Sequence, residues 1–346
     1  MAVTLKQLAA RAGVSIPTAS LILNGKGQRY SEATRAKVLA VAAELRYRPN
    51  ASARAIRQNR FNAAALLFRE EQSFLPADLM RGAIHALGER QMHLVLDEMT
   101  LAEIEAEGAY TPRLLQQLCV DGLIVHHAKV IARGVQDMIR AQGIPAVWLH
   151  QCDEVDAVYP DDELAVHDCT TALLAAGHTR IAYLTFHPDT ERRGYSSDLD
   201  RLAGYRSAMT AAGLEPQVMR RPHDNQVLYA GESSRDQRIA AARDLLKAQR
   251  PTAVLTRSTQ ELVPLLMAAS ELGIAVGSEL LVITVEERLF SHAGVPVTTL
   301  VQPMHAIGAA AVEMLLAKID APDQPQPSRA IPYGGPRGAP LLGPPS

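Results

Sequence analysis

Cysteine is scarce in this chain, and its three copies (Cys119, Cys152 and Cys169) lie far apart, with no CxxC pair and no histidine at finger spacing. That excludes a disulfide framework and a structural zinc site. Long apolar runs are missing too: none approaches the roughly 18 residues that a membrane span needs. The opening MAVTLKQLAARAG lacks the apolar stretch of a secretory signal, so a soluble, cytoplasmic protein is expected. Aromatics make up only 4% against 47% hydrophobic residues, a globular composition. Net charge is nearly absent as well, with 35 Lys and Arg against 37 Asp and Glu. Taken whole, that balance argues against a nucleic-acid partner.

Its distribution argues the other way. Residues 1–60 hold eleven basic side chains (Lys6, Arg11, Lys26, Arg29, Arg35, Lys37, Arg46, Arg48, Arg54, Arg57 and Arg60) and two acids, Glu32 and Glu44, a surplus of nine. The rest then carries 24 basic and 35 acidic residues, a deficit of eleven. A basic nucleic-acid-binding module joined to an acidic body fits this asymmetry. At about 100–200 residues per domain, 346 residues predict two or three units.

The first 45 residues read as three short helices. Thr4 sits three residues before Gln7 as a capping box, and Leu5, Leu8, Ala9 and Ala12 share one helical face. Gly13 ends that helix. Ser15 then caps SIPTASLIL, where Pro17 is tolerated in the first turn, and Asn24-Gly25 closes it. Ser31 caps a third helix with Val38, Leu39, Ala42 and Leu45 at helical spacing. Two helices joined by a tight turn containing Gly, with a third across them, form a helix-turn-helix. Pro49 stops the third helix, and Asn50 can cap a short, polar one over ASARAIRQN.

From residue 62 the pattern changes. Apolar runs (AAALLF, HLVLD, DGLIV, PAVWL, RIAYLT, TAVLT, LLVIT and VTTLV) alternate with amphipathic stretches such as DLMRGAIHALGERQ and DDELAVHDCTTALLAAG. Parallel βαβ units follow, and their extent predicts two doubly wound α/β lobes. From Pro322 on, eight Pro and four Gly among 25 residues predict a loose tail. The expected organisation is an all-α head over 1–48, a hinge over 49–61, a two-lobed body over 62–321 with crossings near 161 and 288–300, and a tail over 322–346.

VTLKQLAARAGVSIPTASLILNG, followed by SEATRAKVLAVAAELRYRPNASARAIR, resembles the head and hinge of the lac/gal repressor family of bacterial transcription regulators. DGLIV, GIPAVWL, YPDDELA, GHTRIAYL, RLAGYRSAM, RPTAVL, ELGIAVGSELLVIT and TTLVQPMHAIGAAAVEML follow in the family's order, so the resemblance spans about residues 3–318. It implies a body similar to periplasmic sugar-binding proteins. The implied partners are double-stranded operator DNA, a second copy of the chain, and a small sugar-like effector between the lobes. No cofactor, metal or membrane partner is implied.

Residue by residue, the resemblance puts base reading at Ile16, Pro17 and Leu21, and phosphate or register contacts at Thr4, Ser15, Thr18, Ser20, Asn24, Thr34, Tyr47 and Asn50. Many relatives carry Arg or His where Leu21 stands. Arg pairs with guanine, whereas Ile, Pro and Leu press on a thymine methyl, so T-rich half-sites are expected. A competing reading places Ile16 and Leu21 in the three-helix core. In the hinge, Ile56 matches the side chain that the family wedges into the minor groove, with Arg54 and Arg57 at phosphates; the competing reading is a flexible linker. The effector positions that match are Phe74, His150, Asp161 (with Asp162 beside it), Ser197 and Arg201. Two departures stand out: Ser258-Thr259 replaces a step that usually contains Asp, and Val285-Glu286 stands where Tyr-Asp is usual, with Glu286 keeping the acceptor one methylene further out and so joining the effector positions. Those departures leave open a regulator that has lost small-molecule control or answers to a protein partner. The family's tetramerising heptad helix does not appear in QPQPSRAIPYGGPRGAPLLGPPS, so a dimer is expected.

An enzyme is the other class considered, since Asp161-Asp162 near His167 or His178 can imitate acid/base or metal chemistry. Adjacent residues on extended chain point to opposite faces, and no nucleophile elbow, phosphate loop or HExxH accompanies them, so no enzyme is expected. A secreted solute-binding protein would have no use for the basic head.

Overall fold

A computed structural model describes residues 3–48, 60–69, 77–99, 119–126, 133–150, 155–186, 196–220, 232–289, 292 and 294–344. The chain divides into two compact units, 1–62 and 63–346.

The first unit holds α1 (Leu5–Ala12), α2 (Ile16–Leu23) and α3 (Glu32–Glu44). Each begins as its sequence dictates: the Thr4–Gln7 capping box is formed, and the Ser15 and Ser31 hydroxyls accept from the Thr18 and Thr34 amides. Leu8, Ala9, Ala12, Ala19, Ile22, Val38 and Val41 form the core. One expected core position fails. Leu39 is 53% exposed, and Val41 takes the inward place on α3.

The second unit contains two sheets. The strands of lobe 1 are β1 (Ala63–Arg69), β2 (His93–Met99), β3 (Gly122–Val125), β4 (Ala146–Leu149), β5 (Ala157–Pro160) and β11 (Arg329–Ile331), in the order β11-β5-β4-β3-β1-β2. In lobe 2 they are β6 (Ile181–Thr185), β7 (Gln217–Arg220), β8 (Ala253–Thr256), β9 (Leu281–Glu286), β10 (Thr298–Val301) and β12 (Arg337–Gly338), ordered β12-β10-β9-β8-β6-β7. Among the named strands every pairing is parallel except β10–β12, and an isolated bridge, Val155–Pro327, is antiparallel as well. The two-faced burial that near-continuous apolar strands predict is visible in β1. Ala64, Leu66 and Phe68 pack with α4 (Ala77–Glu89) and α10 (Met304–Asp320), while Ala63, Ala65 and Leu67 face the side of α5 (Arg133–Ala141). Lobe 2 repeats this. Ala182 and Leu184 face α8 (Glu232–Gln249) and α9 (Thr259–Glu271), and Ile181 and Tyr183 face α6 (Asp162–Ala175) and α7 (Ser196–Ala211).

The chain passes between lobes three times. The first passage is at Asp161, between β5 and α6, as expected. The second lies at Gln302-Pro303, beyond the expected stretch 288–300, because TTLV first pairs with β9. The third belongs to the tail, which is far from loose. β11 lies parallel to β5, the Asp161 amide donates to the Ile331 carbonyl at 2.9 Å, and β12 joins β10. Leu341 packs with the lobe 2 core, and His178 Nε2 donates to the Leu342 carbonyl at 2.7 Å. Proline misled the composition reading because all eight tail prolines fall outside the short strands β11 (RAI) and β12 (RG), which keep their amide protons for pairing.

Candidate functional site

Two groups of residues carry the functional expectations. In the head, α2 buries Ala19 and Ile22 and turns Ile16, Pro17, Ser20, Leu21 and Asn24 away from them, a stripe at helical spacing. Ile16 is 43% exposed, Leu21 is half-buried, and neither belongs to the core cluster. The reading that placed both in the core is therefore set aside. Polar neighbours hold the stripe. Asn24 Nδ2 donates to the Ser20 carbonyl at 2.8 Å, and the Ser15 and Thr18 hydroxyls lie 2.8 Å apart. Thr4 stands exposed at the start of α1, Thr34 is half-buried in the first turn of α3 with its hydroxyl on Ser31, and Tyr47 packs against the head core. Lys6, Arg11, Lys26, Arg29, Lys37, Arg46 and Arg48 are exposed, and Arg11 is paired with Glu44 at 2.9 Å. Helix N-termini capped by hydroxyls, set among cations, suit phosphate oxygens. Asn50, Arg54, Ile56 and Arg57 lie outside the described residues.

In the body, the C-terminal ends of parallel strands bring polar groups together, where an open α/β sheet places its ligands. Asp161 and Asp162 divide their tasks. Asp161 caps α6, accepting from the Leu164 amide at 3.3 Å, whereas Asp162 is buried and accepts from Arg201 Nε at 2.6 Å. The Tyr333 hydroxyl donates to the same Asp162 oxygen, also at 2.6 Å. Arg201 Nη1 donates to the Arg257 carbonyl at 3.1 Å. Burial works against the Arg201 charge, but Asp162, then Tyr333, Asp198 and Tyr183, outweigh it and hold the guanidinium ionised. A second cluster adjoins this one. Arg257 reaches Asp198 at 3.2 Å and Glu261 at 3.3 Å, and Glu261 also accepts from the Phe186 amide and the Ser258 hydroxyl.

The departures at Ser258, Thr259 and Glu286 form one construction. Ser258 caps α9, and the hydroxyls of Thr259 and Thr284 both donate to Glu286 Oε1, at 2.6 and 2.9 Å. In lobe 1, His126 and His150 end β3 and β4 and meet edge to face, ring centroids 5.0 Å apart. Burial pushes His150 down to about 4, with Asp162 opposing and Arg201 assisting the shift, and burial then His150 lowers His126 well below its ordinary range. Both are neutral at pH 7. Ser197 is half-buried in the first turn of α7, beside Asp198. Phe74 lies outside the described residues.

The structure thus puts His150 within electrostatic reach of Asp162 and Arg201 and sets Glu286 at the end of β9, bonded to Thr259 and Thr284, but it gives Asp161 a capping role and puts Asp162 in the buried pair with Arg201. Sequence reasoning passed over His126, Asp198, Arg257 and Glu261. His126 and Arg257 carry a readable signal, since each immediately follows a predicted buried strand, DGLIV or TAVLT. No sequence signal marks Tyr333 as a partner of Asp162.

Among the described residues no helix is long and apolar enough to cross a membrane, and no three His, Cys, Asp or Glu form a group that could hold a metal. Cys119 and Cys169 are free.

Comparison with known proteins agrees with this geometry. Residues 4–50 match the family described as bacterial regulatory proteins, lacI family, and residues 170–337 match the periplasmic binding protein-like domain. A ribose operon repressor of Escherichia coli (strain K12) is 30% identical over 92% of this chain and 94% of its own. The fold is that of a lac repressor dimer solved with operator and an anti-inducer (TM-score 0.76, 22% identity, 99% of this chain and 100% of that one). A transcriptional regulator CelR–cellobiose complex matches at TM-score 0.60 and 27% identity over 96% and 98%. With the head motif, the doubly wound body and a relative of this identity along nearly the whole length, the chain belongs to the lacI family of bacterial regulatory proteins.

Proposed function

We propose that this protein is a transcriptional repressor that binds a palindromic operator as a homodimer and is controlled by a small polar effector, a sugar or sugar derivative, held between its lobes. The observation that carries the reading is the outward stripe of α2 (Ile16, Pro17, Ser20, Leu21 and Asn24) on a head rich in exposed cations. A recognition helix presents its first turns to base edges in the major groove. Ile16, Pro17 and Leu21 read thymine methyls; Thr4, Ser15, Thr18, Ser20, Asn24, Thr34, Tyr47 and Asn50 contact phosphates or set register. Ile56 wedges the minor groove between Arg54 and Arg57. The names of the ribose operon repressor and of the CelR–cellobiose complex support repression and a sugar ligand.

For the effector, neutral His126 and His150 offer both a donor and an acceptor to hydroxyls. Ser197, Arg201, Glu286 and Phe74 complete the set, with Asp161 shaping the crossing. No catalytic step is assigned: Asp161 is spent on a helix cap and Asp162 on Arg201. The setting is the cytoplasm, where the DNA is.

One observation favours a regulator without small-molecule control. Arg201 and Glu286 are both already satisfied by protein groups. Calorimetry with a panel of pentoses, hexoses, disaccharides and sugar phosphates, read alongside release of a selected operator, decides between the two. A ligand that binds and changes operator affinity supports the first reading; a panel without a binder supports the second.

A further inference from the structure

His85 of α4 and His305 of α10 project from neighbouring helices of lobe 1, outside both groups described above. His305 Nε2 and His85 Nδ1 face each other at 3.4 Å, with ring centroids 5.5 Å apart and planes at 62°. That separation is longer than the about 2.9–3.0 Å at which N–H donors usually settle. At this long hydrogen-bond distance the rings also stand at the spacing that one tetrahedral ion imposes: two imidazole nitrogens, each about 2.0–2.1 Å from the metal, are about 3.3–3.4 Å apart.

The frame behind the pair is close-fitting. Gly82 lies one turn before His85, and a Cβ there would run into the His305 carbonyl; a Cβ at Gly308 would run into that of Leu79. Glycine at both positions lets the helix backbones touch, so the two histidines spring from backbones held in fixed register. Both are exposed, which leaves room for water to complete a coordination shell. No third His, Cys, Asp or Glu joins them among the described residues.

We propose that His85 and His305 form a divalent transition-metal site on lobe 1, with two protein nitrogens and the remaining positions filled by solvent. Imidazole selects Zn²⁺, Ni²⁺ or Cu²⁺ over Mg²⁺ and Ca²⁺, which prefer oxygen. His305 follows the Gln302-Pro303 crossing by two residues, so an ion held here ties the lobe 1 end of that crossing strand to α4. The site is independent of the effector reading.

Calorimetric titration of the full chain with ZnCl2 tests it, using wild type, His85→Gln, His305→Gln and the double variant, with MgCl2 as the control metal. The expected result is loss of one equivalent of Zn²⁺ in either single variant and no further loss in the double variant. Both side chains are exposed, and far-UV circular dichroism checks that the variants keep the fold. Electron paramagnetic resonance with one equivalent of Cu²⁺ gives a second readout, with splitting by two imidazole nitrogens in wild type that both variants lose. Unchanged stoichiometry in the variants, loss in only one of them, or equal binding of Mg²⁺ would overturn the proposal.

Discussion

The Tyr333 hydroxyl lies 2.6 Å from Asp162 Oδ1 although 171 positions separate the two residues. Tyr333 belongs to the third passage between lobes and Asp162 to the first turn beyond the first passage, so this bond fastens two crossing strands to each other at the carboxylate that also holds Arg201.

Its removal is measurable. Tyr333→Phe deletes one hydrogen bond to a charged acceptor and is expected to cost about 1.5–3 kcal/mol in urea unfolding. Asp162→Asn leaves Arg201 buried without its counter-charge and is expected to cost about 3–5 kcal/mol. The double variant should cost less than the two combined, because both act at one oxygen; full additivity would contradict the shared contact.

The head separates readout from stability. Leu21→Arg changes a half-buried side chain outside the core, so unfolding of the head should shift by no more than about 0.5 kcal/mol. Binding-site selection should nonetheless move toward guanine at the facing base, by about 1–3 kcal/mol of discrimination. Leu8→Ala, at the fully buried centre of the same unit, should instead cost about 2–5 kcal/mol of stability. Selected sites with invariant guanine in the wild-type protein would refute apolar reading by Leu21.

Acidity should weaken the body. His150 stays neutral in the folded state down to about pH 4, whereas an unfolded chain protonates near the ordinary 6.5. Between those values the unfolded state binds more protons, so stability falls as pH drops through that window, by roughly 3 kcal/mol at pH 4. His150 sits at φ 55°, in the left-handed region. His150→Asn keeps a residue that tolerates this conformation and removes the proton site. Chemical denaturation at pH 7 and pH 4.5 should show a smaller loss for the variant, and an identical loss would exclude His150 as a source.

The tail has its own anchor. His178 Nδ1 meets the Thr252 hydroxyl at 2.8 Å, and Nε2 meets the Leu342 carbonyl at 2.7 Å. A carbonyl only accepts, so Nε2 carries the proton. His178→Ala is expected to speed amide exchange and proteolysis at 339–344 while leaving α1–α3 unaffected. Unaltered protection of the tail would show that β12 and Leu341 hold it alone.

How much of this was legible depended on how local the cause was. The head could be read because caps and short helices are decided within three or four residues, as at Thr4–Gln7 and Ser15–Thr18. Seven of the eight apolar strands could be read because burial on both faces leaves unbroken runs; the eighth, β2, lies at a sheet edge and is only partly buried. β5, β7, β11 and β12 escaped notice: Pro160 ends β5, polar Gln217 and Arg220 bracket β7, β11 and β12 are only three and two residues long, and β12 is made by a register that no local pattern announces. Leu39 was misplaced because Val41 satisfies nearly the same periodicity. Arg201 was found through the family motif, but its partner was not, since 39 positions separate it from Asp162 and adjacent Asp161 offers the same chemistry.

The tail also bears on how the body assembles. Residues 329–331 supply the outer strand of one sheet and residues 337–338 that of the other. The lobe 1 sheet therefore cannot gain its full set of strands before residue 331 has been synthesised, nor the lobe 2 sheet before residue 338, and lobe 1 needs α10 as well. Until then each growing lobe exposes an unpaired strand edge, β5 in one and β10 in the other, open to a neighbouring nascent chain. Slow release from the ribosome should thus favour aggregation of this protein more than of one whose lobes are contiguous in sequence.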